Sequence, residues 1–178
     1  MRKLALCTAI LLTELAAARP ASAMISIVAA ENFYGDVAQQ LAGPDAIVTS
    51  ILSNPDQDPH LFEASPSVAR NLSTAAIVVY NGADYDPWMA KLLAASRSAN
   101  RKIIIVASLV HKKAGDNPHL WYDPATMPVY AKAVTAALVE RDPNRRADYD
   151  QRLQAFLASL QPLDAKIPDL RGKFTGSR

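Results

Sequence analysis

A chain of 178 residues, half of them apolar and a fifth charged, with a single cysteine, is too apolar for disorder and has length for little more than one domain. Lys and Arg number 19 against 17 Asp and Glu, so the chain lacks the basic excess that nucleic acid or an anionic membrane recruits. One cysteine excludes a disulfide framework.

The first segment is a targeting signal rather than part of a fold. Arg2 and Lys3 precede an apolar run from Leu4 to about Leu12, which leads to Ala21-Ser22-Ala23. That order predicts a secretory signal peptide over residues 1–23, cleaved after Ala23. Thr8, Thr13, Glu14 and Arg19 leave the run well short of the roughly 20 apolar residues of a spanning helix. A lipoprotein signal fits poorly, because Leu6 is large where a small residue is wanted and Cys7 comes before most of the run. The expected product is exported, periplasmic in a two-membrane bacterium, and not membrane-spanning. Removing Arg2, Lys3, Glu14 and Arg19 leaves it formally neutral and without cysteine.

From Met24 onward, runs rich in β-branched residues alternate with segments of helical period. Strands are expected at 25–30, 46–52, 76–80 and 102–107, the last two nearly continuous in apolar residues, as strands covered on both faces require. Residues 32–41 place Phe33, Val37 and Leu41 at fourfold spacing and stop at Gly43-Pro44. Ser65-Pro66 and Asp86-Pro87 open two more helices. This order predicts an α/β domain, a parallel four-stranded sheet with helices on both faces. A polar loop at 110–117 then leads to two helices. One starts at Asp123-Pro124 with Met127, Val134 and Leu138 on one face. The other runs from about 144 to 167 on a stripe of Tyr149, Leu153, Phe156, Leu160 and Leu163, with Pro162 expected to bend or shorten it.

Two of the three histidines sit in nearly the same local sequence, Asp58-Pro59-His60-Leu61-Phe62-Glu63 and Asn117-Pro118-His119-Leu120-Trp121-Tyr122-Asp123. In each, Pro stiffens the backbone before the imidazole and a Leu-aromatic pair after it can anchor the turn. Each loop follows a strand, and the crevice beyond the carboxyl ends of parallel strands is where open α/β sheets bind ligands. Imidazoles brought together there suit zinc and several other divalent metals; a solvated surface role is the competing reading. His111, beside Lys112 and Lys113, reads as solvated. Glu63, Asp84, Asp86 and Asp123 could accept a ligating histidine's second ring proton or cap a helix, and capping is the reading for Asp86 and Asp123. Tyr80, Tyr85, Trp88 and Trp121 read as core packing ahead of an aromatic binding surface. No nucleophile elbow, dinucleotide fingerprint, phosphate loop or His-Glu-x-x-His motif is present, and the protein reads as a non-enzyme.

These motifs, with Ser65-Pro66-Ser67 and Ala76-Ile77-Val78-Val79-Tyr80-Asn81-Gly82 continuing to Trp88, resemble the periplasmic solute-binding proteins of zinc and manganese ABC transporters, the family related to ZnuA and TroA. The resemblance implies a two-lobed binder, its lobes joined by one long helix and its metal, Zn²⁺ or Mn²⁺, held between them for delivery to a membrane permease. It assigns His60 and His119 as the two ligands of the first lobe, with 24–143 as that lobe and 144–178 as the linking helix and its end. The sequence stops at Arg178, just past the expected linking helix, so against the family the second lobe, with its third and fourth ligands, is missing and the chain reads as a truncated form. Asn117 stands where the family often has Asp, and Asp86 where Glu is frequent. Two imidazoles fill half of a zinc shell, and Mn²⁺, which favours anionic oxygens, loses more. A surface adhesion or interaction module, and a metal-assisted hydrolase built on the same histidines, are the alternative functions.

Overall fold

The computed structural model describes residues 23–54, 56–59 and 62–176. The signal peptide and its cleavage point, save Ala23 itself, lie outside the described residues, as does His60.

Four parallel strands form the sheet: β1 (Ile25–Glu31), β2 (Ala46–Leu52), β3 (Ile77–Tyr80) and β4 (Lys102–Ile105), in the spatial order β2-β1-β3-β4. Ile27 pairs with Val48 on one side and Ile77 on the other, and Val78 pairs with Ile103. The period of two sends alternate residues of the central strands to opposite faces. Ile25, Ile27, Ala29, Ile77 and Val79 face a larger core built with α1 (Asn32–Ala42), α5 (Thr126–Arg141) and the start of α6 (Arg146–Lys173). Val28, Ala30 and Val78 face a smaller one with α2 (Pro66–Thr74) and α3 (Pro87–Ala95). Both faces are covered, as the apolar runs required.

Three expectations need correction. The fourth strand ends at Ile105 rather than 107, and Val106–Leu109 turns into a short helix, α4. Val106 and Ala107 remain buried, and a buried apolar run does not by itself distinguish strand from helix. Asp86 and Ser65 precede their helices without donating or accepting a side-chain cap bond. Pro162 does not shorten the last helix, which continues through Pro162 and Pro168 to Lys173. Its far half is exposed, so water can satisfy the carbonyls that each proline leaves without a partner. Accordingly the apolar stripe stops short: Tyr149 and Phe156 are buried, Leu153 and Leu160 half-buried, and Leu163 exposed.

Among the described residues no helix is long and apolar enough to cross a membrane.

Candidate metal centre

Because all four strands are parallel, their carboxyl ends share one edge of the sheet, and β1 delivers Glu31 there while β3 delivers Asn81 just past its end. A cleft of about 400 Å³ opens at this edge. Pro59, the residue before His60, lines one part of it, and Trp121 and Tyr122, two and three positions after His119, line another. Glu31, Phe33 and Tyr85 complete the floor and wall between them. The two histidine-bearing loops thus border one cavity, although they lie some sixty residues apart in the chain.

Each loop is fastened in the same way, through the carbonyl of the proline that precedes the histidine. Trp88 donates its indole N–H to the Pro59 carbonyl at 2.9 Å, and Asn81 donates its amide N–H to the Pro118 carbonyl at 2.9 Å. Both donors are buried, Trp88 packed on Phe62 with ring centroids 4.4 Å apart. Asn81 is fixed by a second partner, since Tyr34 donates its hydroxyl to Asn81 Oδ1 at 2.6 Å, and Tyr130 donates in turn to the Tyr34 carbonyl at 2.8 Å. A buried donor left unpaired would cost about 1–3 kcal/mol, so Trp88 and Asn81 both need these acceptors.

After His119 the chain makes a single 3-10 turn, Leu120–Tyr122, with Leu120 buried as the anchor. His119 itself is exposed, its ring beside Tyr85, Trp121 and Tyr122 at centroid distances of 5.9, 5.4 and 6.5 Å. Its Nδ1 lies 3.0 Å from Asn117 Oδ1, and the same oxygen accepts the His119 backbone N–H at 3.0 Å. The backbone donor identifies that atom of the amide as the oxygen, so in the neutral ring Nδ1 carries the proton and Nε2 the lone pair. This tautomer leaves Nε2 open to an incoming ligand or to water, and it is set here by an amide rather than by any of the carboxylates considered from sequence.

Those carboxylates have other positions. Asp86 accepts the backbone N–H groups of Asn81 and Gly82, at 2.6 and 2.8 Å, and so pins the loop before α3 instead of capping the helix. Asp123 accepts the Ala125 N–H at 3.0 Å in the turn before α5. Glu63 and Asp84 are exposed, as is His111, which has a positive φ of 57°. Trp88 belongs to the core as expected; Trp121 and Tyr85 instead wall the cleft, stacked edgewise with centroids 4.9 Å apart. Among the described residues no three His, Cys, Asp or Glu side chains converge to enclose a cation. Three residues at this edge were given no role in the sequence reading: Tyr34, Glu31, and Asn81, which entered only as part of the family motif. The only sequence signals were an Asn-Gly pair directly after a strand and an acidic residue ending an apolar one.

The architecture recurs in metal-binding proteins of known structure. The metal-dependent lipoprotein YcdH from Bacillus subtilis superposes with a TM-score of 0.75 at 20% identity, over 86% of this chain and 57% of that one. Zn(II)-bound AdcA from Streptococcus pneumoniae gives 0.69 at 21%, over 81% of this chain and 32% of that one. At such identity the likeness is one of fold, the α/β lobe of this class of proteins. The sequence carries the assignment further: the ZnuA family, described as zinc-uptake complex component A, periplasmic, matches residues 27–175, and the chain belongs to that family. Similar relatives include the manganese ABC transporter substrate-binding lipoprotein scaA of Streptococcus gordonii, 27% identical over 83% of this chain and 52% of the relative. The iron ABC transporter substrate-binding lipoprotein MtsA of Streptococcus pyogenes is 26% identical over 79% and 49%. The chain spans about half the length of the curated relatives it matches.

Proposed function

We propose that this chain is the first lobe of a solute-binding protein that captures a divalent cation, Zn²⁺ or Mn²⁺, outside the cytoplasm and delivers it to an ABC permease. The lobe covers 24–143, the linking helix 144–178, and export follows cleavage after Ala23. His60 and His119 are the ligands, and the chain performs no covalent chemistry. The observation that carries the reading is the matched fastening of the Pro59 and Pro118 carbonyls around one cleft. A packing role alone needs no such repetition, whereas a metal site needs its ligands held to within about 0.5 Å by supporting groups. The His119 tautomer supports the same assignment, because the free Nε2 belongs to an exposed ring. Family membership and the manganese, iron and zinc named for its relatives and fold neighbours agree with a cation as cargo. Two imidazoles favour zinc over manganese until carboxylates from elsewhere join them.

Calorimetric titration of the chain with Zn²⁺ at neutral pH, beside a His60→Ala/His119→Ala double variant, tests this. Weak binding, abolished in the variant, is expected. Equal heats from the two chains would remove both histidines from the site.

A further inference from the structure

The donors that fasten the two histidine loops, Asn81 and Trp88, lie seven residues apart in a single segment, so the geometry of both loops depends on what holds that segment. Its loop is not self-supporting. Gly82, Ala83 and Asp84 have successive positive φ values of 76°, 51° and 63°, a run that the two non-glycine residues adopt only under constraint. The constraint is Asp86, whose Oδ2 and Oδ1 take the N–H groups of Asn81 and Gly82.

Glu31 and Asp86, each 2% exposed, interact directly through their carboxyl groups. Neither carboxyl oxygen of Glu31 is reached by an N–H or O–H donor of another described residue. The ionisable groups that face it are Asp86 and Tyr85 in the loop before α3, Tyr34 on α1 and Tyr130 on α5. Among the described residues no cationic side chain stands with them. Two carboxyls buried side by side without a cation cannot both carry charge. Two backbone N–H bonds favour charge on Asp86, while Glu31 receives none, so the proton falls to Glu31.

We propose that Glu31 is kept as a neutral carboxylic acid whose O–H donates to Asp86, locking the segment from Asn81 to Trp88 and acting as a positioning residue for both histidine loops. The link to the histidines rests on the metal-capture reading; the protonation state does not. Burial first, and then the neighbouring Asp86, drive the Glu31 carboxyl well above its usual range. Burial raises Asp86 as well, but its backbone N–H bonds and Glu31 act in the opposite direction. A raised value in the folded state means that folding takes up a proton. The stabilisation is complete below the unfolded glutamate value, about 4.3, and is lost as pH rises through the folded one. Across that window the folding equilibrium constant falls by up to about tenfold per pH unit for one proton.

Infrared spectroscopy of the full chain at neutral pH, where exposed carboxyls are ionised, reads the proton directly. A carbonyl stretch of a buried carboxylic acid is expected, and its absence overturns the proposal whatever any variant does. In E31Q that band disappears, because the amide donates to Asp86 without a titratable proton; a band that persists in E31Q would move the proton to another residue and overturn the assignment. Urea melts of wild type and E31Q from pH 5 to 8 should diverge, the wild type losing stability more steeply as pH rises than E31Q, in which Asp86 is the remaining carboxyl of the buried pair; parallel profiles count against it. Zn²⁺ affinity should survive in E31Q and drop at least about tenfold in E31A. Loss in E31Q equal to that in E31A would leave Glu31 without a positioning role, even with metal capture intact.

Discussion

At the scale of single residues, the two proline carbonyls make the sharpest predictions. Trp88→Phe keeps the ring that packs on Phe62 but removes the indole N–H that reaches Pro59. The lost hydrogen bond should cost about 0.5–1.5 kcal/mol in a urea melt, a modest loss because the freed carbonyl can turn to water. Zn²⁺ affinity should fall by roughly tenfold or more, the effect expected of a group that orients a ligand. If stability drops while affinity stays, Trp88 serves packing alone. Asn81→Asp is a harsher change of nearly the same shape. It deletes the bonds donated to Gly82 and Pro118 and places a carboxylate among Asp86, Glu31 and the Tyr34 hydroxyl. A buried charge without a cation should destabilise the fold by about 3 kcal/mol or more, visible as a lowered denaturation midpoint.

At the scale of elements, the loop between β3 and α3 is where local strain and packing meet. A methyl group built on Gly82 would sit 2.8 Å from Ile105 Cγ2 and 3.1 Å from Ala107 Cβ, at a φ of 76° that disfavours any side chain. Gly82→Ala should therefore cost about 2–3 kcal/mol by denaturant titration, combining backbone strain with contacts that only a shift of the Ile105 side chain at the end of β4 and of Ala107 in α4 can relieve. A cost below about 0.5 kcal/mol would mean that this loop is adaptable and could not hold Asn81 and Trp88 in register. The same loop shows what the sequence could and could not reveal. The strands and the helices of the lobe announce themselves through short-range pattern: Ile77 to Tyr80 as an apolar run, Phe33, Val37 and Leu41 as a helical stripe, Pro66 and Pro87 as helix starts. The paired His60 and His119 motifs are legible for the same reason, being contiguous. The supports behind them are not, because Tyr34, Asn81 and Pro118 meet from three elements, and only the folded sheet brings Glu31 to Asp86. Asp86 misled the reading for a related reason: an Asp before Pro fits a helix cap, and only the close approach of the Asn81 and Gly82 amides redirects its oxygens.

At the scale of the whole molecule, the question is what ties the long α6 to the lobe. Its buried contacts are Tyr149 and Phe156, with Leu153, Leu157 and Leu160 half-covered, and they end before Leu163, Leu170 and Phe174, all exposed. The polar part of the tie is Asp45, which follows α1 and is nearly inaccessible. It accepts from Arg145, just before α6, and from Arg152 within it, the latter at 2.9 Å. Arg152 also donates to the Ala42 carbonyl at 2.6 Å and lies over the Tyr149 ring at 5.7 Å. Removing one side of such a pair leaves charge without compensation, although both guanidiniums keep about a quarter of their exposure and water offsets part of the loss. Asp45→Ala should thus cost about 2–3 kcal/mol, and the loss should be local. Hydrogen exchange is the discriminating measurement. Amides of residues 147–160 should lose protection in the variant while those of β1 and β3, buried on both faces, keep theirs. If sheet and helix lose protection together, α6 is part of the lobe's cooperative core and cannot behave as an arm that moves on a rigid lobe. If the helix alone is released, the lobe holds the histidine loops through its own sheet edge, independently of whatever α6 supports beyond Lys173.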